Sequence, residues 1–196
     1  ILGAVQRDHN DEFEIQFPET LRIERYTEVL NWYKNPLNRD YSKSLEIEVA
    51  GVPHVFAWGG LHGATPKYFG EGWYVNVDVA SYYPSLMLRY GWISRNVADP
   101  AKYDEIYHTR LKLKAEKNPM QQPYKIVLNS TYGAMKDRHN AMYDPRQANN
   151  VCVGGQLLLL DLIERLEDHC DIIQSNTDGI LIKLRRYEDF DLVDDI

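Results

Sequence analysis

Residues 172–182, Ile-Ile-Gln-Ser-Asn-Thr-Asp-Gly-Ile-Leu-Ile, decide the fold class predicted for this chain. Two short apolar segments flank a polar tetrapeptide that ends in glycine, which is typical of a β-hairpin whose glycine takes a positive φ. Earlier in the chain, 73–79 alternates in polarity and predicts a strand in which Asp78 lies on the side opposite Val75 and Val77. If the two strands are neighbours in one antiparallel sheet, Asp78 and Asp178 can meet.

The rest of the pattern predicts a second hairpin and several helices. Residues 45–49 alternate as a strand, Ala50-Gly51 suggests a turn, and 55–58 returns as the partner strand. The glycines at 59, 60 and 63 then predict a loop. Helical spacing, with proline and asparagine as breaks, predicts helices over 20–34, 84–90, 100–117, 121–135 and 144–169. The predicted fold class is therefore α+β, an antiparallel sheet with flanking helices and a short helical insertion.

Composition limits the classes of function. The 196 residues are 44% hydrophobic, with no apolar run long enough to span a bilayer and no signal-peptide pattern. The two cysteines, Cys152 and Cys170, set no disulfide framework, so a reduced intracellular setting is expected, with each cysteine a small core or surface residue. The chain starts at isoleucine and ends in an acidic run, 188–195, which suggests a piece of a longer protein.

Charge is unevenly distributed along the chain. A formal net charge of −7 argues against unaided nucleic-acid binding, because phosphate contacts need lysine and arginine. Residues 109–140, however, carry seven cations and two anions, a net of +5. This basic stretch is where a nucleotide or a nucleic-acid strand is expected to bind.

Asp78 and Asp178 suit a metal site for nucleotidyl transfer. Two Mg²⁺ ions can activate a 3′-hydroxyl and neutralise the reacting phosphates. Mg²⁺ prefers oxygen ligands and usually takes one or two protein carboxylates, and the carbonyl of Val79 offers a further oxygen. The competing interpretations are a strand-end carboxylate that caps the next helix, for Asp78, and an ordinary turn aspartate, for Asp178.

Lys125 stands early in a predicted helix, where it is poorly placed to stabilise the helix dipole. With Arg110 and Lys114 from the preceding helix it can form a cationic wall for a triphosphate. Asn129 lies on the same face, and Gly133 permits a base pair or a strand to approach closely. A solvated charged helix face is the alternative for Lys112 and Lys117.

Tyr83 lies five residues after Asp78, at the start of a predicted helix. A rigid ring at this position can lie under a sugar and exclude a 2′-hydroxyl by steric clash. A tyrosine in the core or at an interface is the alternative, for Tyr83 and for Tyr82 beside it.

Three segments resemble the polymerase motifs of family B DNA polymerases. The first motif, D-x-x-S-L-Y-P-S, matches 78–85 with Tyr82 in place of leucine, and the second, K-x-x-x-N-S-x-Y-G, matches 125–133 at every fixed position. The third, Y-x-D-T-D-S, corresponds to 174–179, where Gln174 replaces the tyrosine, Asn176 the first aspartate and Gly179 the serine. The third motif and the short gap between the first two resemble phage or prophage polymerases.

The resemblance implies a role for each matched residue. Asp78, Lys125 and Asp178 would be catalytic, and Asp78, Val79 and Asp178 would hold two Mg²⁺ ions, with Mn²⁺ as a possible substitute. The loop at Gly59 and Gly60 looks like the aromatic-Gly-Gly element that touches template in some members, although a plain hairpin loop explains it equally well. Substrate would contact Val79, Ser81, Tyr82, Tyr83, Arg110, Lys114 and Asn129, and DNA would contact Gly59, Gly60, Tyr132 and Gly133.

The resemblance also implies a domain organisation. Residues 1–44 would be a connecting segment, 45–99 and 136–196 the palm, and 100–135 short fingers, without the exonuclease and thumb of the parent chain. No D-x-E triplet, the usual first exonuclease signature, occurs in the sequence.

The function expected is template-directed DNA synthesis from dNTPs on a primer–template, without a membrane partner, in the cytoplasm of a bacterial host. The alternatives are a non-catalytic palm that binds primer–template or a partner, and another palm-type transferase. Among such transferases, Tyr83 argues against an RNA polymerase, and the complete second motif argues against a reverse transcriptase.

Overall fold

The computed structural model describes residues 9–196, so the first eight residues of the predicted connecting segment lie outside the described residues. The fold is α+β, with a six-stranded antiparallel sheet and flanking helices, as predicted. The chain divides into two compact units. The helical unit comprises 9–16 and Ser81–Val151, and the sheet unit comprises Phe17–Ala80 and Cys152–Ile196.

All six strands found in residues 9–196 belong to the sheet unit. They run in the order β1-β2-β3-β5-β6-β4, and every neighbouring pair is antiparallel. The predicted hairpins correspond to β1–β2 and β5–β6, and the predicted strand that carries Asp78 is β4. The strands are β1 Ser44–Val49, β2 Val52–Ala57, β3 His62–Ala64, β4 Trp73–Asp78, β5 Cys170–Ser175 and β6 Gly179–Leu184.

Strand β3 corrects the prediction of a loop through Gly63. Gly63 pairs with His54 of β2 and with Ser175 of β5. A three-residue strand is too short to show an alternating pattern, and one of its partners is more than a hundred residues away in the sequence. Local sequence therefore carries no signal for it.

The helices agree closely with the predicted ones, except the first. The predicted helices at 84–90, 100–117 and 121–135 are found with ends shifted by no more than two residues, and the long helix ends three residues early. Short 3₁₀ turns lie at Pro36–Asn38 and Tyr187–Asp189. The helices are α1 Thr27–Lys34, α2 Tyr82–Tyr90, α3 Ala101–Ala115, α4 Gln121–Lys136, α5 Pro145–Leu166 and α6 Phe190–Asp194.

Helix α1 begins seven residues later than the predicted helix over 20–34. The backbone amide of Arg22 donates to Asp161 Oδ2 at 2.8 Å, and the amide of Glu24 donates to Glu164 Oε2 at 3.0 Å. Because these α5 carboxylates satisfy amides before Thr27, the segment does not need helical hydrogen bonds there.

A buried glutamine joins α1, α5 and the sheet. Gln156 of α5 accepts a hydrogen bond from the Tyr33 hydroxyl at 2.8 Å and donates to the carbonyl of Ala57 at 2.8 Å. Its amide also donates to the carbonyl of Gly59. The apolar core of the sheet unit surrounds this network, with Val29, Phe56, Leu157, Leu160, Ile163, Ile180 and Ile182 fully buried. The network therefore fixes the start of the Gly59–Gly60 loop.

The helical unit contains a buried ion pair at the start of α5. Asp144 is fully buried, and both of its carboxylate oxygens accept from the Arg95 guanidinium, at 2.8 and 3.0 Å. The Arg95 backbone amide also donates to Asp144 Oδ2 at 2.8 Å. On its outer side, Arg95 binds Asp11 and holds the pKa of that carboxyl below its usual value. The pair ties the loop after α2 to α5.

Both cysteines lie in the core, which is one of the two places expected for them. Cys152 and Cys170 are buried and free, and burial raises the pKa of the Cys170 thiol to about 11. At neutral pH this thiol is therefore neutral and unreactive. Within the described part of the chain, no helix combines the length and apolar character that crossing a bilayer requires.

Candidate active site

The pairing of β4 with β6 brings Asp78 and Asp178 to the same end of the sheet. Asp78 is directly opposite Gly179, and the Val79 amide donates to the Asp178 carbonyl at 2.9 Å. Both aspartates are exposed. The sequence predicts this proximity if the two strands are neighbours, and β4 and β6 are paired along their whole length.

Asp78 is oriented by two neighbours. Asn76, two residues earlier on the same strand face, donates from Nδ2 to Asp78 Oδ2 at 2.7 Å. On the opposite strand, a Cβ at Gly179 would collide with Asp78 Oδ1 and would come 2.9 Å from the carbonyl oxygen of Val77. The φ of Gly179 is not positive, which corrects the prediction for this residue. The glycine is needed for space, because a side chain would displace the Asp78 carboxylate.

The β5–β6 turn carries Asp178 in a hydrogen-bonded loop. The backbone amide of Asn176 donates to the Gly179 carbonyl at 2.9 Å. The backbone amide of Asp178 donates to the side-chain oxygen of Asn176, Oδ1, at 3.2 Å. Asn176 therefore organises the turn through its side-chain oxygen. The same oxygen would lie 3.4 Å from a Cβ at Gly179, so Asp78 and Asn176 flank this glycine together.

The loop after β2 contacts this turn. A Cβ at Gly60 would collide with Thr177 Oγ1 and would come 3.3 Å from Thr177 Cγ2. Gly59 is held by Gln156, as described above, and a Cβ at Gly59 would meet no atom within 4 Å. Gly60 thus allows the loop and the turn to pack directly. The two glycines predicted to touch DNA lie beside the turn that carries Asp178.

The donor set at this end of the sheet suits a hard cation. Asp78, Asp178 and the amide oxygen of Asn176 are oxygen donors, and Mg²⁺ usually takes one or two carboxylates and completes its coordination with phosphate and water. Within residues 9–196, no three side chains among histidine, cysteine, aspartate and glutamate gather into a metal cluster. The residues therefore fit an ion shared with a phosphate-bearing ligand and not a closed structural metal site.

The remaining predicted residues belong to the helical unit, which the chain enters between Ala80 and Ser81. Ser81 precedes α2 in the left-handed region, with φ 51° and ψ 49°. Its hydroxyl accepts from Arg110 Nη1 at 2.6 Å. Arg110 is only 7% exposed, and its Nε has no hydrogen-bond partner among the described residues. Lys114, one turn later on α3, is exposed. The two cations predicted to share a face thus have different surroundings.

Helix α4 presents its predicted residues to the surface. Lys125, Asn129 and Gly133 are exposed, and a Cβ at Gly133 would meet no atom within 4 Å. No contact within the described chain explains this glycine, which leaves room for a ligand. Tyr132 is half-buried and meets Tyr83 edge to face, with ring centroids 4.6 Å apart. The structure therefore brings together residues from the first and second motifs.

Tyr82 lies in the core of the helical unit. It is 9% exposed, and burial raises the pKa of its hydroxyl well above the usual value. This is the core role considered as the alternative for Tyr82. The ring of Tyr83, which is half-buried, is more accessible than the ring of Tyr82.

Comparison with known proteins gives one local similarity. Over 33 residues the chain is 52% identical to a protein described as "DNA polymerase" from Acidianus bottle-shaped virus (isolate Italy/Pozzuoli). The aligned stretch covers 17% of this chain and 5% of the viral protein. No protein-family model matches the chain. The similarity supports a relation to DNA polymerases over that short stretch.

Sequence reasoning missed the hydrogen bond from Asn76 to Asp78 and the buried hydrogen bonds that His54 and Gln156 make within the sheet unit. One signal was available, since the polar residue His54 lies between the apolar residues Val52 and Phe56 on the buried face of β2. A polar residue in a buried series needs a hydrogen-bond partner, but the sequence does not say which one.

Proposed function

We propose that this chain is the palm and fingers of a family B DNA polymerase that adds dNTPs to a primer 3′-hydroxyl under the direction of a template. The observation that carries the proposal is the β4–β6 pairing, which sets Asp78 opposite Gly179 and beside Asp178. The short similarity to a viral DNA polymerase supports it independently. Primer–template DNA and dNTPs would be the partners.

The reaction would join the primer oxygen to the α-phosphorus of the dNTP. A P–O bond forms there, the bond between the α-phosphorus and the bridging oxygen breaks, pyrophosphate leaves, and the hydroxyl proton passes to solvent. Asp78 and Asp178 would hold two Mg²⁺ ions, which when bound lower the pKa of the hydroxyl and neutralise the phosphates. Asn76 orients Asp78, and the turn hydrogen bonds of Asn176 orient Asp178.

The helical unit carries the other residues to which the family resemblance assigns nucleotide contacts. Lys125 and Lys114 are exposed cations that suit the triphosphate, and Arg110 supplies a buried positive charge beside Ser81. Tyr83 would lie under the sugar, with Tyr132 as its support. Asn129 and Gly133 would line the nascent base pair, because both are exposed on α4.

The proposal is tested by primer extension with the complete protein. We expect template-dependent extension that EDTA abolishes and that Mg²⁺ or Mn²⁺ restores, because the two aspartates need a divalent cation to hold the phosphates. Asp171→Asn, which changes an exposed carboxylate at the other end of the same hairpin, serves as the control and should keep the wild-type rate. The absence of extension with either ion would overturn the proposal.

Shortening Tyr83 to alanine or valine is expected to lower the discrimination between dNTPs and rNTPs. A steric contact with one small group is worth roughly 10–100-fold, so the ratio of the two kcat/KM values should fall by about that factor. Tyr83→Phe keeps the ring and should keep the discrimination. Steady-state kinetics with matched dNTP and rNTP substrates give the ratio. Equal discrimination in the alanine and phenylalanine variants would show that the Tyr83 ring does not exclude the 2′-hydroxyl.

A second candidate function is a palm that binds primer–template without catalysis. Asn176 favours it, because an amide replaces a carboxylate of the family motif and its oxygen is engaged by the Asp178 amide. The two functions differ in metal-dependent nucleotide binding. A non-catalytic palm would bind primer–template but show no increase in dNTP affinity on addition of Mg²⁺ or Mn²⁺.

A further inference from the structure

His54, Gly63 and Ser175 lie side by side on three adjacent strands. Gly63 of β3 is paired with His54 of β2 on one side and with Ser175 of β5 on the other. A Cβ at Gly63 would collide with the imidazole ring of His54. The ring therefore lies across the glycine and reaches the strand beyond it, where Nε2 is 2.6 Å from Ser175 Oγ.

The direction of the hydrogen bonds follows from the partners. His54 Nδ1 lies 2.8 Å from the carbonyl oxygen of Val52, which can only accept, so Nδ1 carries the proton. Nε2 is then an acceptor, and the Ser175 hydroxyl donates to it. Burial lowers the pKa of His54, in agreement with a neutral ring. Both ring nitrogens of His54 are therefore hydrogen-bonded, Nδ1 to the Val52 carbonyl and Nε2 to the Ser175 hydroxyl.

The connectivity is that of a serine activated by a histidine, but the surroundings exclude nucleophilic chemistry. His54 is 1% exposed and Ser175 is 2% exposed, so no substrate can reach the hydroxyl. The pair can act only through the residues to which it is attached.

Those residues belong to the turn that carries Asp178. Ser175 is the last residue of β5, and Asn176 follows it directly. The β5–β6 ladder shifts register between Ile172 and Gln174 and then resumes through the pair of Ser175 with Ile180. Beyond this irregularity, the hydrogen bond to His54 ties the end of β5 to β2 across β3.

We propose that His54 and Ser175 are positioning residues, which hold the turn at 176–178 so that Asp178 stays beside Asp78. The proposal rests on the proposed function. Loss of the Ser175–His54 hydrogen bond should free the turn and weaken the hold on the divalent cation. Substitutions behind metal ligands commonly reduce metal affinity by about 10–100-fold.

Two substitutions of His54 separate the roles of its nitrogens. His54→Gln brings an amide to the place of Nε2 and can still accept from Ser175, whereas His54→Asn reaches only the place of Nδ1. We expect His54→Asn to raise the Mg²⁺ concentration for half-maximal extension about tenfold, with the KM for dNTP unchanged, and His54→Gln to restore most of the loss. A defect of folding alone would not raise the metal requirement selectively.

A second measurement does not depend on polymerase activity. The amides of Asn176, Asp178 and Val79 are all donors in or beside the turn, and their hydrogen exchange reports its order. Exchange at these amides should increase in His54→Asn and in Ser175→Ala, but not in His54→Gln. Ser175→Ala removes one hydroxyl and serves if the asparagine variant does not fold.

Equal exchange in Ser175→Ala and the wild-type protein would overturn the positioning role, whether or not the protein extends primers. Absence of extension by the wild-type protein, together with increased exchange in the variants, would overturn the proposed function. It would still support the conclusion that His54 and Ser175 hold the turn at 176–178. The two failures are thus distinguishable.

Discussion

Replacing Asp178 by asparagine is expected to lower the rate of primer extension about 10³-fold. Asparagine keeps the size of the side chain and both backbone hydrogen bonds of the turn, from Asp178 N to Asn176 and from Val79 N to the residue 178 carbonyl. It removes the negative charge that would balance the divalent cations. Loss of about 4 kcal/mol of transition-state stabilisation corresponds to this factor, since each 1.36 kcal/mol is tenfold. Single-nucleotide incorporation at saturating dNTP measures the rate.

Two controls separate chemistry from folding. Asp171→Asn makes the same change of charge on an exposed residue of the same hairpin and should leave the rate unaffected. The melting temperature of Asp178→Asn should match that of the wild-type protein, because the aspartate is exposed and its turn contacts are through the backbone. If Asp178→Asn extends primers at the wild-type rate, Asp178 is not a catalytic metal ligand and the proposed function loses its main support.

The second large effect concerns stability. Replacing Arg95 by methionine is expected to lower the free energy of unfolding by about 3–5 kcal/mol, because it leaves the fully buried carboxylate of Asp144 without its ionic partner. The Arg95 side chain is itself only 22% exposed, so water cannot readily take its place beside the Asp144 carboxylate. Urea unfolding followed by far-UV circular dichroism measures the change.

A second substitution distinguishes the buried charge from lost packing. In the double variant Arg95→Met with Asp144→Asn, the buried group is neutral and can still accept from the backbone amide of residue 95, so part of the stability should return. Arg25→Met, which removes an exposed arginine from its salt bridges to Glu167 and Asp168, should change the stability far less. Equal losses for Arg95→Met and Arg25→Met would contradict the importance of the buried pair.

The candidate site could be predicted as far as its parts are local. Asp78 at the end of β4 and Asp178 in the β5–β6 turn followed from alternation and turn residues, because these patterns reflect the backbone of a few neighbouring residues. The contact between Tyr83 and Tyr132 could not be read in this way. It depends on the packing of α2 with α4. The two tyrosines are 49 positions apart in the sequence, which is too far for a local pattern to show their contact.

Three residues show how tertiary contacts changed a local interpretation. The sequence predicts a cationic wall that includes Arg110, but this side chain is only 7% exposed and donates to the Ser81 hydroxyl. Gly179 was expected to need a positive φ, but it is the space for the Asp78 carboxylate that excludes a side chain. Arg22 was expected to be helical, but its backbone amide donates a hydrogen bond to the Asp161 carboxylate of α5.

By itself, the sequence determined the strands other than β3, most of the helices and the two aspartates, because their periodicity and turn chemistry act over a few residues. Only the tertiary structure decided that β6 lies beside β4, that Asn76 and Gly179 orient Asp78, and that His54 reaches Ser175. The last two residues are 121 positions apart. Their meeting depends on strand order and on a glycine between them, which are properties of the packed sheet and not of any one segment.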